Sequence, residues 1–193
     1  MDLRFMGGLR FPVYAAHRIA HTRRYRGRIS YLEVTRNRPT CDDAEYPCGG
    51  PSDLLPASWM TREDDFICVY VLNLPFVDSA TRLAPDCAAG DGALWLLIVR
   101  KEAGKLDLLE MFAAVEEGRH TCMENVDMVK ILAFRLEPLD PADGGHVTVD
   151  GELVDYAAVQ GRVLPSAGRF MVAGNDKKSL EEETVDEDED TKL

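Results

Sequence analysis

The sequence predicts a mainly β fold with helices, an antiparallel β-sandwich or half-barrel with a helix packed against it. Three observations carry that expectation. Phe66–Leu72 and Leu94–Val99 are continuous apolar runs of strand length, rich in β-branched residues, as buried strands are. Val149-Asp150-Gly151-Glu152-Leu153 sets Asp-Gly between short apolar alternations, the strongest short-range pattern for a tight hairpin. Lys105–Glu117 places Leu108, Met111, Phe112 and Val115 at i, i+3, i+4 and i+7, one face of a helix. Several short strands with one or two helices read as sheet covered by helix.

The remaining elements follow from local chemistry. Phe11 to Tyr25 reads as a basic helix: Pro12 suits a first helical position, and Val13, Ala16, Ile19 and Ala20 share a face. Gly27 ends it, and Arg28 to Val34 alternates as a strand. Thr35 to Trp59 is punctuated by Pro39, Pro47, Gly49, Gly50, Pro51 and Pro56 and reads as loop. A second loop with small residues covers Asn73 to Gly92. Gly118 is a natural stop for the Lys105–Glu117 helix. Val129 to Leu136 reads as a strand, with Pro138 beyond it, and a last strand is expected near Arg169 to Val172. There is no internal repeat.

The chain has 193 residues, enough for one domain of ordinary size. No run approaches the roughly 20 apolar residues of a membrane span. Met1 to Gly8 lacks the apolar centre of a signal peptide. The five cysteines are irregularly spaced with no Cys-x-x-Cys, so zinc and redox motifs gain no support and a reducing, cytoplasmic setting is expected. The net charge of −12 is uneven. Arg4, Arg10, Arg18, Arg23, Arg24, Arg26, Arg28, Arg36 and Arg38 face only Asp2 and Glu33 in the first forty residues. Glu181 to Asp190 is a block of carboxylates that reads as a disordered tail.

Chemistry-bearing patterns are few. There is no glycine-rich phosphate loop and no Gly-x-Ser-x-Gly elbow. His17 and His21 lie four apart on one helix face, which a metal can use but a basic surface explains more simply. Arg4 and Arg10 flank Gly7-Gly8, so two guanidiniums on a flexible pair are either surface charges or a phosphate clamp. The Leu108, Met111, Phe112, Val115 stripe is either core or the lining of a lipid slot, and periodicity does not separate the two. The Asp150-Gly151-Glu152 turn, taken alone, is a solvated hairpin tip.

An ordered set of segments then resembles the C-terminal half of sphingosine kinases, in the diacylglycerol-kinase-like lipid kinase family. The carriers are Leu9-Arg10-Phe11, Tyr25-Arg26-Gly27-Arg28-Ile29-Ser30-Tyr31-Leu32, Ser58-Trp59, Asp64-Asp65-Phe66 and Ala114-Val115-Glu116-Glu117-Gly118-Arg119-His120. Ala133 to Pro138, Val149 to Leu153 and Ala158-Val159-Gln160-Gly161 complete it. The resemblance runs from about Arg4 to Val172. It implies a hinge segment and basic helix over 1–27, a β-sandwich lipid-binding domain over 28–174 and an acidic tail over 175–193. The nucleotide-binding catalytic domain, with its catalytic Asp and phosphate loop, is expected to be absent.

The resemblance also implies roles. Arg4 and Arg10 reach nucleotide phosphates, and Asp150, Gly151 and Glu152 close on the nucleotide side. Phe11, Leu108, Met111, Phe112, Val115 and His120 line a lipid pocket, with Cys68, Tyr70, Leu72 and Leu97 on the facing strands. The implied activity is ATP-dependent phosphorylation of the primary hydroxyl of a sphingoid base. ATP and Mg2+ are held mainly by the other domain, so this chain alone is expected to be inactive. The expected partners are a sphingoid-base lipid, an anionic membrane surface met by the basic helix, and a second copy in the full-length enzyme, with no nucleic acid. Ala16 and His17 replace the bulky apolar residues that the family uses for calmodulin-type partners, so that partnership is not expected. Two other readings stand beside it: a non-catalytic lipid-binding module of the same fold, and a charge-driven interaction protein.

Overall fold

A computed structural model of the chain describes residues 17–36, 45–47, 50–78, 81–140 and 144–169. The fold is an antiparallel β-sheet with few helices. Four strands make its body: β1 (Tyr25–Glu33), β2 (Met60–Leu72), β3 (Leu94–Arg100) and β4 (Val126–Pro138). The helix α1 (Lys105–Ala114) and a short 3-10 helix (Arg119–Cys122) lie between β3 and β4. β5 (Val147–Val149) and β6 (Glu152–Val154) form a separate hairpin, and β7 (Val159–Arg162) returns to the main sheet beside β4.

The body closes on itself. β1 pairs with the first half of β2, from Tyr31↔Met60 to Tyr25↔Phe66, and with the second half of β4, from Leu32↔Ala133 to Gly27↔Pro138. β3 pairs with the second half of β2, from Cys68↔Val99 to Leu72↔Trp95, and with the first half of β4, from Val99↔Val126 to Leu94↔Ile131. Each long strand changes partner at one extra residue, Ile67 in β2 and Leu132 in β4, where the register slips. A single unpaired residue bends and twists a strand. Those two bends turn a four-stranded sheet into a ring.

Three apolar clusters fill and clad the ring. Ile29, Phe66, Leu96, Ile98 and Ile131 form one. The alternate residues of β3, Leu97 and Val99, join Leu72, Leu83, Ala84, Cys87, Leu108 and Val115 under α1. β3 is therefore buried on both faces, which is why its sequence is a continuous apolar run rather than an alternation. The third cluster is Leu32, Trp59, Leu132 and Ala133, with Tyr46, Leu55 and Val163 packed on it.

Several boundaries differ from the sequence expectation. The helix expected to run to Tyr25 is helical at 17–20 and gives way before β1, which starts at Tyr25 itself; residues 11–16 lie outside the described residues. β2 begins six residues early because Met60 to Asp65, though polar, pairs with β1. Arg62, Glu63 and Asp64 stay on the strand by pairing outward: Arg62 with Asp127 at 2.7 Å, Glu63 with Arg26 and Arg28 at 3.1 and 3.0 Å, and Asp64 with Lys101 at 2.5 Å. α1 stops at Ala114 rather than Glu117, and Gly118 beyond it has φ of 72°. A β-carbon there would sit 2.9 Å from Pro85, so the turn needs glycine twice over. The expected final strand near Arg169 is not formed at Arg169, and residues 170–172 lie outside the described residues. The strand β7, at Val159–Arg162, pairs beside β4.

Candidate functional site

The candidate lipid-lining residues come from two elements that face each other. On β2, Cys68, Tyr70 and Leu72 alternate to one face, and each lies opposite a β3 residue of that face: Val99, Leu97 and Trp95. α1 lies over this wall. Its first turn is fixed by Asp107, whose carboxylate accepts from the Gly104 backbone N–H at 2.8 Å and from Asn125 at 3.2 Å. A carboxylate at a helix N-terminus also complements the helix dipole. With that start, Leu108 and Val115 point inward and are buried, and Met111 packs beside them.

Six of the residues singled out by resemblance thus meet in one cluster: Cys68, Leu72, Leu97, Leu108, Met111 and Val115. Tyr70 lies on the same face by register but is 43% exposed. Phe112 is 53% exposed and points away from the cluster; Ala114 takes the inward position instead. Leu106 and Leu109, which the sequence reading passed over, join Phe112 on the outer side of α1, at 80% and 48% exposure. The helix is apolar on both sides, and only the inner side was legible as a stripe. Phe11 lies outside the described residues.

His120 is fully buried. Its Nε2–H donates to the carbonyl oxygen of Leu83 at 3.0 Å, which ties the 3-10 helix to the loop after β2. Burial holds the imidazole below its ordinary pKa, with the Leu83 bond opposing only in part, so the ring is neutral at pH 7. Nδ1 is then a lone-pair acceptor, and it is buried without a protein partner. Leu83, Ala84 and Cys87 roof this side of the cluster. Sequence reading placed them in a loop; the apolar Leu83-Ala84-Pro85 within that loop was the available sign of burial. Burial pushes the Cys68 thiol up to about 12 and Cys87 up to about 11, so both behave as small apolar groups.

The hairpin is as the sequence predicts. Val149 pairs with Glu152, and Asp150 and Gly151 have φ of 50° and 85°, the two positive values of a type I′ turn. Asp150, Gly151 and Glu152 are exposed. Val149, Leu153 and Val154 are exposed as well, so the hairpin stands clear of the ring with apolar side chains in water. At its base a cleft of about 90 Å³ is lined by Tyr25, Phe66, Val69, Leu136, His146 and Tyr156, among others. Arg4 and Arg10 lie outside the described residues. Among the described residues no group of three or more His, Cys, Asp or Glu side chains is placed to hold a metal ion.

The basic stretch is partly neutralised. Arg26 and Arg28 pair with Glu63, and Arg28 also approaches Glu137 at 3.7 Å. Arg24 donates from Nε to the Lys101 carbonyl at 3.0 Å. His21 donates from Nδ1 to the His17 carbonyl at 3.0 Å, and the two rings stack with centroids 4.5 Å apart on an exposed surface. Among the described residues no helix is long and apolar enough to cross a membrane.

Comparison with known proteins gives one family. The YegS C-terminal NAD kinase beta sandwich-like domain matches residues 3–172. Human sphingosine kinase 1 is 35% identical over 183 residues, covering 89% of this chain and 47% of the human protein. Sphingosine kinase 1 of Arabidopsis thaliana is 32% identical over 169 residues, 78% of this chain and 35% of the plant protein. Among solved structures, a Bacillus anthracis protein assigned as a diacylglycerol kinase superposes with a TM-score of 0.53 at 15% identity, over 86% of this chain and 45% of that one. That likeness is one of fold. The chain spans about half the length, or less, of the curated relatives it matches.

Proposed function

This chain belongs to the YegS C-terminal NAD kinase beta sandwich-like domain family, with sphingosine kinases among its relatives, and from that premise we propose that it is the lipid-holding half of a sphingosine kinase. The reaction would transfer the γ-phosphoryl group of ATP to the primary hydroxyl of a sphingoid base. The observation that carries the reading is the cluster of Cys68, Leu72 and Leu97 under Leu108, Met111 and Val115. It is an apolar wall under the buried side of an apolar helix. An alkyl chain buried there gains about 0.8 kcal/mol per methylene.

Phosphoryl transfer rests on positioning and on neutralising charge at the phosphates. In this reading Arg4 and Arg10 supply part of that charge, and the Asp150-Gly151-Glu152 turn borders the nucleotide. ATP and Mg2+ would be held chiefly by the part of the longer relatives that this chain does not span. The hairpin's exposed Val149, Leu153 and Val154 suit a surface completed by such a part. Proton removal from the lipid hydroxyl belongs there too, so the chain by itself transfers no phosphate.

Binding of a fluorescent sphingosine analogue to the chain tests the pocket. Saturable binding that Leu97→Asp abolishes and Asp150→Asn leaves intact is expected. No binding at all would remove the lipid reading and leave a charge-driven interaction protein. Turnover of ATP and sphingosine by this chain above an Arg4→Ala/Arg10→Ala control would overturn the division of labour. A second reading is a lipid-binding module of the same fold without catalysis. Adding the missing half of a sphingosine kinase in trans separates the two, since only the first reading predicts recovered phosphorylation. A peripheral association with anionic membranes through the basic stretch is a further part of the proposal, and vesicle sedimentation with anionic against neutral lipid decides it.

A further inference from the structure

One end of the strand ring is open. Tyr25 pairs with Phe66 and Gly27 with Pro138, and Ile29, two residues on, pairs with Leu136. Side chains alternate along a strand, so Tyr25, Gly27, Phe66, Leu136 and Pro138 share the inner face with Ile29. Deeper inside, Ile29, Leu96 and Ile98 are buried. Towards this end Tyr25, Val69 and Leu136 are only half-buried, although each carries an aromatic or aliphatic side chain on the inner face. The cleft of about 90 Å³ at the base of the β5–β6 hairpin is this open end.

Two glycines shape it. Tyr156, from beyond the hairpin, makes a further wall, and Gly145 admits it, since a β-carbon there would run into the Tyr156 ring. Gly27 leaves the floor clear: a β-carbon on it would lie 3.5 Å from the Glu137 carbonyl oxygen and 3.6 Å from the Phe66 ring, ordinary contact distances.

The lining favours one kind of ligand. The aromatic rings of Tyr25, Phe66 and Tyr156 border the cleft, with Val69 and Leu136 between them and the exposed His146 at the rim. Aromatic rings pair well with one another, offset or edge to face. Arg26 and Glu137 border the cleft too, but they alternate to the outer face, where they pair with Glu63 at 3.1 Å and Arg28 at 3.7 Å, so they give the cleft backbone rather than charge. Aromatic walls also attract cations. Here the Arg23 guanidinium already lies 5.6 Å from the centre of the Tyr25 ring and that of Arg62 5.7 Å from that of Phe66, so a cationic ligand would meet like charge at both. The volume is of the same order as the roughly 150 Å³ engineered cavity that takes benzene.

We infer that this cleft is a binding site for a single neutral aromatic ring of phenol size. It belongs to the inner face of the strand ring, whereas the candidate lipid cluster lies under α1 on the other face of β3, so the site does not depend on the lipid reading.

Methyl NMR of the whole chain titrated with phenol tests this. Saturable shifts at Val69, Leu136 and Val147 are expected at millimolar phenol, with Leu97 and Leu108 unmoved. Cyclohexanol, similar in size without a π face, and benzylammonium, aromatic but cationic, are each expected to bind at least about fivefold more weakly. Gly27→Ala, whose methyl enters the cleft, is expected to weaken phenol at least about tenfold, with thermal unfolding to check that it folds. Should it not fold, Tyr156→Leu takes one aromatic wall away and is expected to weaken phenol at least about threefold. No shifts at the cleft, shifts that fall first on Leu97 and Leu108, equal binding of cyclohexanol or benzylammonium, or phenol binding unchanged in the folded variant would overturn the inference.

Discussion

Gly161 of β7 lies flat against the ring of Phe134 on β4, its partner across the sheet. A β-carbon at position 161 would come 2.7 Å from Cε1 of that ring. The strand is short, so this one contact decides how closely β7 approaches. Gly161→Ala is expected to destabilise the domain by about 1–3 kcal/mol through overpacking. Urea unfolding measures it. Phe134→Leu in the same background should recover much of the loss, and independent, additive effects of the two changes would refute a shared contact.

α1 offers a matched pair of tests. Leu108 is buried and Phe112 is not. Leu108→Ala should cost about 2–4 kcal/mol, the usual range for emptying a buried leucine site. Phe112→Ala should stay within about 0.5 kcal/mol. Thermal or urea unfolding of both variants checks the difference.

His120 makes stability depend on pH. Its pKa is lowered in the folded chain, so below the unfolded value the unfolded state binds the proton more readily. Stability then falls as pH drops through about 6.5, the model-peptide value, and levels off once pH passes the lower folded pKa. Unfolding midpoints between pH 8 and pH 5 follow this, and His120→Gln should flatten the part of the slope that begins near 6.5. An unchanged slope in that variant would assign the pH dependence to other groups.

The thiols should divide by burial. Cys122 is exposed, whereas Cys68 and Cys87 have thiols pushed up to about 12 and about 11. The thiolate is the reactive form. Among these three thiols, alkylation followed by mass spectrometry should modify Cys122 first and reach Cys68 and Cys87 far more slowly. Early labelling of Cys68 would show that the cluster under α1 opens in the native state.

Gly151 has φ of 85°, which a side chain tolerates poorly. Gly151→Val should therefore loosen the Val149↔Glu152 pair, read by cross-strand contacts in NMR, with little change in the ring.

Much of this fold was legible in the sequence because burial leaves a pattern. β3 is apolar on every residue because two clusters claim it, and the Asp150-Gly151 turn needs two positive φ values that few residue pairs supply. The first half of β2 was hidden because its pairing is backbone and its side chains are ions that neutralise one another across strands. β7 was hidden because Val159-Gln160-Gly161-Arg162 has no apolar alternation; Gly161 is selected by one ring and Gln160 by one guanidinium. At the candidate site, periodicity on α1 identified Leu108 and Val115 correctly as inward-facing but assigned Phe112 to the same face. The helix is apolar on both sides, and spacing does not say which side another element covers.

The ring has an implication for how the chain is made. Ile29 pairs with Arg62 on one side and Leu136 on the other, and the second partner lies more than half the chain downstream. During synthesis β1, β2 and β3 emerge as an open meander, with one edge of β1 and one of β3 unpaired until β4 has cleared the ribosome. Distant pairings of this kind form late and slowly, and open edges in the interval invite pairing with other chains. Nascent chains stalled just before Val126 should therefore be the species most in need of a chaperone, and those released past Pro138 should not.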